Sequence, residues 1–144
     1  HLSTIFTENR LKKYIEMRSM DACGWDCLCA GPAFFIGLLY GNLEELFDIV
    51  KRWNKNEIIS AYKDSPKKGL NTILENKSIL DWSKELFRLA KKGLENRNEL
   101  NSKKQNEVKF LSHIKTIIDT NSTNAEEIMT KYLKNKNFFS VHEK

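Results

Sequence analysis

The sequence predicts an α+β protein that is mostly α-helical, with one N-terminal strand pair followed by about six helices. Two patterns indicate this architecture. In residues 11–18 apolar and polar side chains alternate with the two-residue period of a strand. From Trp25 onward apolar residues recur at the three- and four-residue spacing of a helix. The length of 144 residues, with 40% hydrophobic and 30% charged side chains, is typical of one globular domain.

The strand pair is predicted in residues 2–6 and 11–18, joined by a polar turn at residues 7–10. Two strands are not stable alone in water, so we expect them to need a sheet supplied from elsewhere. The chain also begins at His1 without an initiator methionine. We therefore expect a fragment, a processed product or an artificial boundary.

A loop over residues 19–24 separates the strands from the predicted helices. The first helix spans residues 25–40 and is interrupted at Pro32, because proline removes a backbone donor. Gly41 ends it, and Asn42 caps a second helix over residues 43–53. The inward positions of this second helix are predicted to be Leu43, Leu46, Phe47, Val50 and Trp53.

The later helices are predicted from their caps. Asn56 caps a short helix to Lys63, followed by a loop over residues 64–69, an extended segment over 70–74 and a turn over 75–77. Ser78 and Asp81 form a capping-box pattern before a helix over residues 79–96. The buried stripe of that helix is predicted as Ile79, Ser83, Leu86, Phe87, Ala90 and Leu94.

The C-terminal third is predicted as a mobile connection over residues 96–106 and two amphipathic helices over 107–119 and 125–134. The first of these helices turns Phe110, Leu111, Ile114, Ile117 and Ile118 inward, and Thr123 with Glu126 repeats the capping-box pattern before the second. Residues 135–144 are expected to fray. Trp25, Trp53 and Trp82 all occupy predicted core positions.

The net charge and the hydropathy pattern of the chain limit the classes of partner that we expect. The net charge is +5, but no basic run is interleaved with aromatic residues, so no nucleic-acid partner is expected. The most apolar run, residues 28–40, is shorter than the roughly 20 residues that a bilayer requires. It contains Gly31, Pro32 and Gly37 and is predicted to be a buried helix. No membrane partner is expected.

Three cysteines cluster at Cys23, Cys27 and Cys29 in a spacing that matches no common zinc signature. The default expectation is three reduced, partly buried thiols in a cytoplasmic protein. A metal site and a disulfide are the alternatives.

Glu16 and Arg18 are the candidate functional residues, because side chains two apart on a strand point the same way. A carboxylate in that position can take a hard divalent cation, and a guanidinium can take the phosphate oxygens that the cation bridges. The alternative is a surface ion pair of little consequence.

The residues surrounding this pair resemble a known family. Residues 1–18, Asp21, Trp25, residues 28–30 and residues 32–33 are similar, without a gap, to the C-terminal part of the plant and alphaproteobacterial glutamate–cysteine ligases. Weaker similarity continues at residues 37–40, 94–97 and 125–127. Departures from the family pattern include Thr7, Asn9, Gly24 and Gly31, the ending after Val141, and Asp26 and Cys27 in place of paired arginines.

The resemblance implies a glutamine-synthetase-like antiparallel sheet that binds ATP, magnesium, glutamate and cysteine. The reaction implied by the resemblance is phosphorylation of the glutamate γ-carboxylate by ATP, followed by displacement of phosphate by the cysteine amine. By resemblance Glu16 is the magnesium ligand, Arg18 is the catalytic phosphate clamp, and Arg10 and Tyr14 join Arg18 in binding the nucleotide. The expected layout is sheet strands over residues 1–21, a helical region over 22–135 and a tail over 136–144.

Because most of the sheet is expected outside this chain, its partner is either the missing N-terminal ligase portion or a second copy. We predict no ligase activity for this chain alone. The alternatives are a non-catalytic helical interaction module and a free-standing nucleotide-binding regulator.

Overall fold

The computed structural model describes residues 8–20, 23–25 and 27–135. These residues form two short antiparallel hairpins and six α-helices. The first hairpin pairs β1 (Asn9–Leu11) with β2 (Ile15–Met17), and the second pairs β3 (Ile73–Leu74) with β4 (Lys77–Ser78). The helices are α1 (Ala30–Gly41), α2 (Leu43–Val50), α3 (Lys55–Lys68), α4 (Ile79–Arg97), α5 (Ser112–Thr120) and α6 (Asn124–Asn135). The predicted class, mostly α with an N-terminal strand pair, is confirmed.

The first hairpin lies inside the segment predicted as one strand. Residues 12–14 form a turn, so the prediction of a continuous strand over residues 11–18 is wrong. The register pairs Asn9 with Met17, Arg10 with Glu16 and Leu11 with Ile15. The strand predicted over residues 2–6 lies outside the described residues.

Helix α1 begins at Ala30, five residues later than predicted, and Pro32 does not interrupt it. Proline is tolerated there because the N–H groups of the first helical turn have no partner within the helix. Trp25 precedes the helix and is 89% exposed, so the prediction of a core position for it is wrong.

Helices α1 and α4 cross at glycines and form the centre of the molecule. Added Cβ atoms at Gly37 or Gly93 would overlap the backbone of the facing helix, and one at Gly41 would overlap Gly93. The crossing brings together one hydrophobic cluster, whose buried members are Ala33, Leu38, Leu89, Ala90, Leu94 and Leu111. Leu89 and Leu94 have no exposed surface, although only Leu94 was in the predicted stripe.

Helix α2 buries only part of the predicted face: Leu46 lies inward as predicted, and Ile49, which was not predicted, lies inward beside it. Leu46 and Ile49 pack against the main cluster, whereas Leu43, Phe47 and Val50 are 55%, 63% and 37% exposed. The predicted inward positions 43, 47 and 50 are therefore wrong. Asn42 precedes this helix, but its side chain does not cap it. The Asn42 Nδ2 atom instead donates to the Leu89 carbonyl at 2.7 Å, which ties the α1–α2 corner to α4.

Helix α3 continues to Lys68 and includes Pro66, so the prediction of a loop from residue 64 is wrong. The proline leaves the Tyr62 carbonyl without its usual helical donor. The Ser65 hydroxyl donates to that carbonyl at 3.1 Å and replaces the lost bond. At the other end the cap is Asn54, which accepts from the Asn56 N–H, so the predicted cap at Asn56 is wrong by two residues.

The second hairpin turns at Glu75 and Asn76, both with positive φ as a two-residue hairpin turn requires. It packs beside Trp82, whose indole N–H donates to the Leu74 carbonyl at 2.8 Å. Trp53 packs edge to face against Trp82, with the ring centroids 5.0 Å apart, as expected for core positions. The predicted cap of α4 is confirmed, since the Ser78 hydroxyl accepts from the Asp81 N–H at 3.0 Å.

The connection after α4 is an organised loop. Asn101 Oδ1 accepts from the backbone N–H groups of Lys103 and Gln105, and Leu100 pairs with Asn106. The predicted helix over residues 107–119 is divided into a 3₁₀ turn at Glu107–Leu111 and α5.

Reciprocal bonds between Thr123 and Glu126 confirm the predicted capping box at the start of α6. The expectation of a frayed end beyond Asn135 lies outside the described residues.

Cys23 and Cys27 form a disulfide, with Cα atoms 6.0 Å apart, and Cys29 is a free, exposed thiol. The expectation of three reduced thiols is therefore wrong. Cys29 is also not partly buried as expected. The loop before α1 places the two Cα atoms within the distance that a disulfide spans.

Candidate functional site

The candidate site is the polar face of the first hairpin, where Arg10 and Glu16 lie directly opposite each other. Side chains at directly opposed positions share one face of an antiparallel pair. The Arg10 Nε atom donates to Glu16 Oε2 at 2.7 Å, a charge-assisted hydrogen bond. Both side chains keep about 30% of their surface exposed. The pair is therefore formed yet open to a ligand.

The charges around Glu16 keep it ionised. The hydrogen bond from Arg10 lowers the pKa of the Glu16 carboxyl most, and the positive charges of Arg10, Lys12 and Arg18 lower it further. The same bond to Glu16 raises the pKa of the Arg10 guanidinium. Glu16 is thus a carboxylate at neutral pH and can act as a cation ligand, whereas the positive charges around it favour phosphate oxygens.

Arg18 follows the end of β2, where its backbone N–H donates to the Glu8 carbonyl at 2.9 Å and extends the hairpin ladder by one bond. Its positive charge adds to the lowering of the Glu16 pKa, after the larger effects of Arg10 and Lys12. Arg10 and Glu16 therefore lie on the paired strands of one short hairpin, and Arg18 follows directly after it.

Tyr14 lies in the turn and not on the strand, and it is 60% exposed. The Lys12 ammonium stands 6.0 Å from the centre of its ring. Tyr14 contributes slightly to the raised pKa of Arg10, so it lies within electrostatic reach of the pair. It also lines an apolar groove between the hairpin and α1.

Sequence reasoning missed two features of this site. It did not identify Arg10 as the direct partner of Glu16, because residues 12–14 lack the Asn-Gly or Asp-Gly signal of a tight hairpin turn. It also missed Tyr62 of α3, whose hydroxyl donates to Glu8 Oε1 at 2.8 Å. That bond connects the hairpin to the helices and raises the pKa of Tyr62. No local pattern joins residues so far apart in sequence.

Within residues 8–20, 23–25 and 27–135, no group of three or more His, Cys, Asp or Glu side chains could hold a metal ion. Glu16 supplies one carboxylate, which fits a magnesium ion that takes its other ligands from phosphate, water and other protein groups. Across those residues no helix has the length and apolarity to cross a bilayer.

Of the two positions at which the resemblance implies paired arginines, the structure describes Cys27, which precedes α1. Cys27 is 7% exposed and forms the disulfide with Cys23, so it supplies no positive charge. Asp26 lies outside the described residues.

Comparison with known proteins identifies similar sequences across nearly the whole chain. The model of a family described as glutamate-cysteine ligase family 2 matches residues 1–141. Glutamate–cysteine ligase A, chloroplastic, from Oryza sativa subsp. indica is 37% identical over 134 residues, which are 92% of this chain and 26% of the relative. The chloroplastic glutamate–cysteine ligase of Solanum lycopersicum is also 37% identical, covering 92% of this chain and 24% of that relative. The chloroplastic enzyme of Arabidopsis thaliana is 36% identical with the same two coverages.

The chain spans about a quarter of the length of the curated relatives that it matches. The first hairpin, with Arg10, Glu16 and Arg18, lies within the residues that the family model matches.

Proposed function

This chain belongs to glutamate-cysteine ligase family 2, and we propose that it is the C-terminal portion of an ATP-dependent ligase that joins glutamate to cysteine. In that proposal the first hairpin forms one wall of the nucleotide site. The observation that carries it is the Arg10–Glu16 pair at 2.7 Å, about 30% exposed, on the strand that leads directly to Arg18.

Glu16 is proposed as one ligand of a magnesium ion. A carboxylate whose pKa is lowered stays anionic at neutral pH, and magnesium usually takes only one or two protein carboxylates. When bound, such an ion neutralises charge on the phosphoryl group during its transfer.

Arg18, Arg10 and Tyr14 are proposed to bind the nucleotide. Guanidinium groups match phosphate oxygens in geometry and charge, and Arg18 is the proposed catalytic clamp. Tyr14 supplies an exposed ring and hydroxyl at the tip of the hairpin, close to Arg10. These groups position ATP and stabilise charge, and the proposal needs no acid–base residue among them.

The test is a calorimetric titration of the purified chain with magnesium and ATP. We expect weak binding that disappears in Glu16→Ala, because the substitution removes the proposed metal ligand. Glu99→Ala is the matched control, since it removes an exposed carboxylate outside the hairpin. Equal binding by all three proteins would contradict the role of Glu16.

The proposal also predicts that the chain alone forms no γ-glutamylcysteine, because one hairpin supplies one carboxylate and two arginines for ATP and two substrates. A coupled phosphate-release assay with glutamate, cysteine and magnesium–ATP measures this directly. Product formation by the purified 144-residue chain would overturn the prediction.

A non-catalytic helical interaction module is the second candidate function. It is favoured by the ion pair that already occupies Glu16, and by Asp26 and Cys27 in place of paired arginines. No binding of magnesium–ATP by the wild-type chain would favour this candidate.

The location of the protein is a further part of the proposal. The cysteine pattern led us to expect the cytoplasm, whereas the relatives are named chloroplastic. Fractionation of cells that produce the native protein distinguishes the two compartments.

A further inference from the structure

An apolar groove lies on the side of the first hairpin that packs toward α1. It encloses about 670 Å³ and is lined mainly by Ile15, Met17, Met20, Phe35, Leu39 and Tyr40. Several of these side chains are open to solvent, including Ile15 at 65% and Tyr40 at 76% exposure. The groove is therefore an apolar surface without a cover in the described part of the chain.

The same surface continues along α2. Leu43 lines the end of the groove, and Phe47 and Val50 follow it at successive helical turns. Leu46 and Ile49 adjoin these residues on the same broad apolar face of α2 and pack into the core, so the described residues cover only part of that face. The exposed part of that face is apolar helix surface available to a further packing partner. We call the groove together with Leu43, Phe47 and Val50 the docking face.

The hairpin beside this face also needs support. Each of its strands has three residues, and a two-stranded hairpin is marginally stable at best in water. Within the described residues no third strand pairs with it. Strand edges of this kind are templates for further pairing.

We propose that the docking face receives the remaining part of the ligase polypeptide, which covers the groove and α2 and adds strands to the hairpin. This inference rests on the proposed function. The length of the relatives supports it, because about three-quarters of each lies outside the region matched by this chain. Large exposed apolar patches mark interaction sites on soluble proteins.

The remaining ligase part fits this face better than a second copy does. From the described residues, a second copy would bring another pair of three-residue strands beside the first hairpin, whereas ordinary sheets have about four to six strands. The ligase remainder can cover the apolar side of the hairpin and leave Arg10 and Glu16 open on its polar side. Docking of this kind completes the sheet without closing the nucleotide site.

The experiment co-expresses this chain with rice glutamate–cysteine ligase A from which the matched 134 residues are deleted. A tag on the deleted ligase measures co-purification, and titration of the separated parts measures their affinity. We expect the wild-type chain to associate. Phe47→Lys should weaken association by about tenfold or more, because an interface would bury the new charge without a partner.

Leu133→Lys is the matched control, because Leu133 on α6 is 67% exposed and Phe47 is 63% exposed. Circular dichroism and thermal melting of both variants establish that each remains folded. Equal weakening by both substitutions, or failure of the wild-type chain to associate, would overturn the proposal. So would a homodimer, detected by sedimentation and broken by Phe47→Lys, that persists in the presence of the ligase remainder.

An activity assay on the same samples separates this inference from the proposed function. A complex that depends on Phe47 but forms no γ-glutamylcysteine supports the docking face and contradicts the proposed function. Activity that is equal with Phe47→Lys supports the proposed function and contradicts the docking face.

Discussion

The pairing of β1 with β2 fixes the position of the Glu16 side chain. The turn at residues 12–14 places Arg10 opposite Glu16, and the two charges meet at 2.7 Å on a face that stays about 30% exposed. An exposed pair of this kind contributes little to global stability. Its importance is local, because it determines the charge and direction of the carboxylate that we propose binds magnesium.

The Arg10–Glu16 pair predicts a pH-dependent hairpin. Because the pKa of Glu16 is lowered in the folded chain, the pair stabilises the hairpin fully above the ordinary value of 4.5. This contribution is lost as the pH falls through the lowered pKa. We expect the NMR shifts of the β1 and β2 amides to titrate with a midpoint below 4.5.

Glu16→Gln should abolish that titration, whereas Glu99→Gln, outside the hairpin, should leave it unchanged. A midpoint above 4.5 in the wild-type chain would show that the pair does not form in solution.

At the scale of elements, the crossing of α1 and α4 depends on Gly37, Gly41 and Gly93. The backbones approach so closely there that no side chain fits between them. This contact positions Leu89 and Leu94 in the core and brings the Leu89 carbonyl to Asn42. The path of α2, and therefore its exposed apolar side, follows from this crossing.

Gly93→Ala should destabilise the protein by about 3 kcal/mol, at the upper end of overpacking effects, because the new Cβ overlaps the Gly37 carbonyl. Alanine alone would favour a helix by about 1 kcal/mol, so a net loss shows that the crossing dominates. Urea unfolding followed by circular dichroism measures the change.

Gly24→Ala is the control for that measurement, since a Cβ added at Gly24 would meet no atom within 4 Å beyond its chain neighbours. We expect its unfolding midpoint to stay near that of the wild type. Equal stability of Gly93→Ala and the wild type would contradict the close crossing.

At the scale of the whole molecule, the first hairpin is held by fewer packing contacts than the helices are. The helices share a core with fully buried side chains, whereas the hairpin is joined to α3 by the bond from Tyr62 to Glu8. Local opening is expected where few apolar contacts hold an element. The hairpin that carries the candidate site is therefore the part most dependent on a partner.

Hydrogen exchange should reveal this difference. We expect the hairpin amides of Lys12 and Arg18 to exchange faster than those of α4, because they open without global unfolding. Tyr62→Phe should accelerate hairpin exchange about two- to fivefold, since an exposed hydrogen bond contributes on the order of 0.5–1 kcal/mol.

Tyr40→Phe is the control, because Tyr40 lines the same groove and its hydroxyl is not the one that holds Glu8. Its hairpin exchange should match that of the wild type. Equal hydrogen-exchange protection of the hairpin amides and the α4 amides would contradict the expectation that the hairpin opens more easily.

The sequence by itself determined the features that depend on local chemistry. The capping residues Ser78 and Thr123 predicted the starts of α4 and α6, because a hydroxyl satisfies nearby backbone donors. The alternation around Glu16 predicted strand backbone, and the long motif predicted the family. Each of these features depends on residues that are close together in the sequence, or on a continuous sequence motif.

Only the tertiary structure decided the features that depend on distant residues. Phe47 and Leu46 are equally compatible with the core by helical spacing, and the crossing at Gly93 selects Leu46. Pro66 continues a helix because Ser65 replaces the missing bond. Arg10 meets Glu16 because the chain turns between them. The physical reason is that packing and register choose among alternatives that local patterns leave equal in energy.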